Sequence, residues 1–240
     1  MTRFLVPFLS ILLSPGAIPS RQGIQSKLTQ RVAAFDSESS STAEQLISFA
    51  RQFQIPMGIE LVETEKQPKA PAIHARNTSA SQILEQILEA SPNGRFSVTD
   101  GLVHVFSGAI VSDERNFLNL RVGRFSTKNE SLYGAEFLLR TKIRQTLNPT
   151  PGYAGGHGHG LPRNDGFDTH NLSLSIDNAT VREVLNGIAS SQGNAVWVVQ
   201  LKPSQMIRNG NRQFYAQAAS LESNQASPDF HWQFLPLKTQ

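Results

Sequence analysis

The chain has no cysteine among its 240 residues. That excludes a disulfide framework and a lipid-bearing cysteine behind a leader. Charge of one sign is also scarce: 22 Lys and Arg stand against 19 Asp and Glu, a net charge of +3. So small an excess, spread along the chain, argues against nucleic acid as a partner, because clustered cations are needed to displace counterions. After residue 20 no apolar run approaches the roughly 18 residues of a membrane-spanning helix. The usual carriers of chemistry are missing too. There is no G-x-S-x-G elbow, no H-E-x-x-H pair, no G-x-x-x-x-G-K-[ST] phosphate loop, and no G-x-G-x-x-G after a strand. The expectation is a protein that is not an enzyme and carries no cofactor.

What is present begins with a leader-like segment. Arg3 supplies a positive start, Phe4 to Leu13 is apolar, and small residues follow at Ser14, Gly16, Ala17 and Ser20. This is the pattern of a secretory signal over residues 1–20, with cleavage after Ala17 or Ser20. An exported chain without cysteine suits a bacterial periplasm. Residues 21–40 are polar, end in a serine-rich run, and read as a flexible lead-in.

The strongest signal is internal repetition. Around residues 72–98 and 173–199 the chain runs strand, cap, helix, strand, and Asn77 and Asn178 stand 101 positions apart. At the same offset Ser79 matches Thr180, Gln82 matches Glu183, Leu84 matches Leu185, and Ile87 matches Ile188. Both copies hold S/T-x-x-E/Q before an apolar helical pattern, which is the signature of a capping box. Ser41 with Glu44 reads as a third box, opening a helix through about Gln54. A strand over 58–62, a strand over 72–76, helix 79–90 and a hairpin across Asp100-Gly101 complete a first module at 41–110. A second module spans 111–201. It starts with Leu118, Leu120 and Val122 alternating as a strand, and continues as a helix with Leu132, Ala135, Leu139 and Ile143 on one face. A glycine- and proline-rich loop at 148–170 interrupts it. The expected fold is α+β, with two small related modules, each a short mixed sheet packed with two helices. Residues 202–240 read as a polar tail ending in a short aromatic strand.

The spacing Gln52-Phe53-Gln54-Ile55, then Thr78-Ser79-Ala80-Ser81-Gln82-Ile83-Leu84 and the Asp100-Gly101 hairpin, resembles the short N-terminal (STN) domain of secretins and TonB-dependent receptors. Asn178-Ala179-Thr180-Val181-Arg182-Glu183-Val184-Leu185 is similar to the same family's strand-to-helix junction. The resemblance covers 41–106 well and 171–201 in part. It implies a periplasmic recognition fold without the outer-membrane barrel those proteins continue into. The implied partner is another envelope protein, such as an outer-membrane or secretion component.

Three sets of residues are candidates for a role. Phe230, Trp232 and Phe234 alternate along the tail; they fit either a strand packing its aromatic face on the core or an exposed strand docking on a partner. His157, His159 and His170, with Asp165 and Asp168, could bind zinc, nickel or copper in a metal-dependent alternative. A small ligand or glycan held in a cleft between modules is a further alternative. Ser41, Ser79 and Thr180 are structural caps. His74, His104 and Trp197 fall in strand patterns, the histidines as half-exposed strand residues and the tryptophan as core.

Overall fold

The computed structural model describes residues 21–63, 69–91, 93–99, 101–147, 171–209, 212–217, 230 and 232–237. The chain is α+β. The first half carries α1 (Arg21–Thr29), β1 (Arg31–Ser37), α2 (Thr42–Phe53), β2 (Met57–Val62), β3 (Ile73–Ser79), α3 (Ala80–Glu89), β4 (Gly94–Thr99) and β5 (Leu102–Ser107). A 3-10 turn at Phe117–Asn119 leads into β6 (Arg121–Glu130), α4 (Leu132–Leu147), β7 (Leu172–Thr180), α5 (Val181–Gln192), β8 (Ala195–Asn209), β9 (Arg212–Gln217) and β10 (Gln233–Pro236).

Strands from both halves form a single sheet. Its order is β10-β8-β2-β5-β4, with β9 pairing the far part of β8. The central strand β2 runs parallel to both neighbours, β5 and β8. Alternation along these strands feeds two cores. Met57, Ile59, Leu61, Val103, Val105, Val196 and Val198 pack into one, with α1, α2 and α3. Ala195, Trp197, Val199 and Leu201 of β8 point the other way, into a core built on α4 and α5. Each helical layer meets a two-stranded antiparallel ribbon, β1–β3 on one side and β6–β7 on the other. Gly58 lies between His104 of β5 and Trp197 of β8 in register. A Cβ there would sit 2.6 Å from the Trp197 ring, so only glycine admits the fully buried indole at that point.

The two capped junctions have matching geometry. Asn77 and Asn178 adopt φ of 48° and 51°, a left-handed turn that asparagine tolerates. Ser79 Oγ accepts from the Gln82 amide, and the Gln82 side chain accepts from the Ser79 amide. Thr180 and Glu183 repeat the arrangement. The first helical amide is also held alike in both copies: Ala80 N donates to Gln30 O, and Val181 N donates to Leu120 O. Arg31 and Arg121 follow those two carbonyls and donate to the Asn77 and Asn178 carbonyls. At Ser41 the box is half-formed. Its hydroxyl accepts from Glu44 N, while the Glu44 carboxylate takes the Ser39 hydroxyl instead.

Several expectations are corrected. Residues 21–37 are helix and strand rather than a flexible lead-in: Ile24, Leu28 and Phe35 are buried, and they anchor an otherwise polar segment. Leu118 belongs to the 3-10 turn, not a strand, because the Asn116 side chain accepts from its amide and bends the backbone. The polar tail holds β9 and the far half of β8, an extended antiparallel hairpin. The apolar spacing of α4 stands as expected, since its buried residues are Leu132, Ala135, Leu139 and Ile143.

Because each cap hydroxyl satisfies a helix N-terminal amide, Ser79→Ala and Thr180→Ala are each expected to cost about 1 kcal/mol. Urea unfolding of the two variants measures this; unchanged midpoints in both would contradict the role given to the caps.

Candidate functional site

The sequence-based candidates are not brought together. His157, His159 and His170, with the whole 148–170 loop, lie outside the described residues. Among the described residues no cluster of three or more His, Asp or Glu could hold a metal ion. His74 is exposed and lies between Asp36, 3.0 Å from Nδ1, and Glu38, 3.4 Å from Nε2. The two carboxylates sit on opposite ring nitrogens, so they do not converge on one point. Hydrogen bonds from Arg76 and then His74 hold the Asp36 carboxyl below its usual range.

Phe230 and Trp232 are core residues, which corrects the docking-strand reading for them. Phe230 stacks on Phe117 at 4.6 Å and meets Phe214 edge-on at 5.1 Å. The Arg140 guanidinium lies 4.0 Å from the Trp232 ring, and Trp232 Nε1 donates to Glu136 Oε1 at 2.8 Å. Both aromatics precede the strand, which begins at Gln233; Phe234 within it is half-buried. Their burial follows from area, since a Phe or Trp contributes most when removed from water.

The most unusual chemistry in the described residues was not anticipated. Glu60 on β2 is completely buried. Arg182, from the first turn of α5, grips it with a two-pronged contact, Nε to Oε2 at 2.9 Å and Nη2 to Oε1 at 3.1 Å. The rest of the Arg182 fork donates to Val111 O at 3.0 Å and to Asn119 Oδ1. Asn116 Nδ2 donates to Glu60 Oε1 and to Ile110 O. His104, expected as a half-exposed strand residue, is instead buried and places Nε2 3.4 Å from Glu60 Oε2. Burial opposes ionisation of Glu60, yet the His104 ring and the Arg182 guanidinium outweigh it and hold the carboxyl below its ordinary value.

A second brace lies in the same connecting segment. Asp113 accepts from Arg115 and from the Tyr215 hydroxyl at 2.7 Å, and Arg115 lies over the Tyr215 ring at 4.9 Å. The Arg115 contact, opposed by burial and helped by Tyr215, keeps Asp113 well below the carboxylate range. Burial, then the bond to Asp113, pushes Tyr215 up. The sequence signal for the main network was a charged residue between Ile59 and Leu61 in an otherwise apolar strand. Period-two alternation places that position on a solvent face, and only the tertiary fold shows that α5 covers it.

A glutamate beside a histidine has the composition of an acid–base pair. Here the carboxylate is fully enclosed, and its oxygens are engaged by Arg182 and Asn116. The arrangement joins β2, β5, α5 and the segment 108–120. No family pattern, curated protein or solved structure matches the chain. Among the described residues no helix is long and apolar enough to cross a membrane.

Glu60→Gln leaves the largely buried Arg182 cation without its counter-charge, at an expected cost of about 3 kcal/mol. The sign with pH follows from the depressed folded value. The stabilisation is complete above the ordinary glutamate value of 4.5 and is lost as pH falls through the folded value. Urea unfolding as a function of pH should therefore show a weaker acid dependence in Glu60→Gln. A variant as stable as the parent at neutral pH would contradict the account.

Proposed function

We propose that this chain is a non-enzymatic periplasmic protein of the bacterial envelope, built from two STN-like units and acting by contact with another envelope protein. The observation that carries the reading is the outer edge of the shared sheet: among the described residues β4 has one ladder partner, β5. An edge strand presents unpaired main-chain donors and acceptors, and a partner strand can add to them. Among the described residues the ribbons β1–β3 and β6–β7 are two-stranded and offer further edges.

Two further observations support it. The paired strand–cap–helix junctions, alike down to the left-handed asparagine and the carbonyl that receives the first helical amide, fit a duplicated unit. The buried polar side chains described above connect elements of the fold to one another, which is the chemistry of a scaffold. The proposed leader lies outside the described residues. Cleavage after Ala17 or Ser20 would leave α1 and its buried Ile24 in the mature protein.

A photo-crosslinking residue placed at Arg95 or Thr99, both exposed on β4, should give a discrete adduct with one envelope protein in cells. The same group at Glu85, exposed on α3, should not. Failure to capture any protein from β4 or from the ribbon edges would overturn the reading.

A further inference from the structure

The last described segment lies in a seat formed by both halves of the protein. Strand β10 pairs antiparallel with the start of β8, from Gln233 opposite Val198 to Pro236 opposite Ala195. Its flanking side chains fill separate pockets. Phe230 enters between Phe117 and Phe214, and Trp232 lies against Arg140 and Glu136. Leu237 is buried in the opposite core.

Much of the polar grip is on the backbone of this segment. Arg140 donates to Phe230 O at 2.7 Å, Arg51 to Pro236 O at 3.2 Å, and Gln54 to Leu237 O at 3.3 Å. Leu237 N donates to Asn194 O at 2.8 Å. Donors aimed at main-chain carbonyls, with pockets for spaced apolar side chains, are how proteins recognise an extended peptide in trans. Nothing in these contacts depends on the segment being covalently joined to the body. The ladder is four residues long and its own side chains are half-buried, so Phe230, Trp232 and Leu237 on either side are the buried anchors of the segment.

We propose that this seat is a peptide-binding groove closed by the chain's own tail, and that it accepts an extended segment of another protein in the tail's place. The occupant has an aromatic residue at the Phe230 position, Trp or another large aromatic two residues on, and apolar residues at the Phe234, Leu235 and Leu237 positions. The tethered tail competes at high effective concentration, so a partner enters only when its segment binds better or is itself held nearby. The proposal deepens the protein-binding reading by naming the β8 edge as the site. It is independent of β4, so failure here leaves crosslinking at β4 as a separate test of that reading.

The test uses the full chain with a specific protease site inserted between Gln217 and Phe230 and cut after folding. The probe is a labelled synthetic peptide of residues 229–240. The cut tail should stay with the body through gel filtration and be replaced by the peptide in a saturable manner. The peptide carrying Trp232→Ala should bind about 30-fold more weakly, the loss of one interface anchor. Uncut chain should bind the same peptide more weakly than cut chain. Dimers formed by exchange of tails between uncut chains would also support the groove, with a second copy as its occupant. A cut tail that never exchanges, a body that unfolds when the tail is cut, or equal binding of the Trp232→Ala peptide would each overturn the proposal.

Discussion

A carboxylate enclosed between a sheet and a helix persists only if its charge is met in place, and Glu60 is met by Arg182. The pair lies where the two halves of the chain join. Glu60 belongs to the central strand of the sheet, and Arg182 to a helix more than a hundred residues later. Asn116, Asn119 and the Val111 carbonyl, in the segment between the halves, take further bonds of the pair. The pair therefore fixes two things at once: how α5 docks on β2 and how the connecting segment folds back. With β2 and β8 held side by side, their odd and even positions line two cores rather than one.

This arrangement explains which parts of the fold were legible in the sequence. Helices α2, α3, α4 and α5 were readable because their information is local: a cap, apolar spacing and a breaker. The Asp100-Gly101 hairpin was readable for the same reason. What escaped was information carried by distant partners. Segment 21–37 looks polar because its burial rests on a few residues, Ile24, Leu28 and Phe35, that pack under helices not yet formed when the sequence is read locally. Strand β9 escaped because Phe214, Tyr215 and Ala216 are buried in succession while Arg212 and Gln213 face water, a pattern without period-two alternation. Glu60 escaped because alternation assigns a face but cannot say that a helix from the other half will cover it.

The aromatic tail shows a different ambiguity. Phe-x-Trp-x-Phe spacing fits a core strand and a docking strand equally, because both bury aromatic side chains against a sheet edge. Here Phe230 and Trp232 are buried against the protein's own body. The protein-contact reading and the self-occupied groove share one physical basis, namely that mixed sheets with short outer strands present backbone groups that another strand can pair.

The central claim is that a shared sheet and one buried ion pair make the two halves a single cooperative unit. Native-state hydrogen exchange tests it most directly, by resolving the opening free energy of individual amides. The account predicts that the most protected amides of β2, β5 and β8 open together with those of α3 and α5, at one common free energy. Two groups of amides, one for each half, opening at clearly different free energies would contradict it.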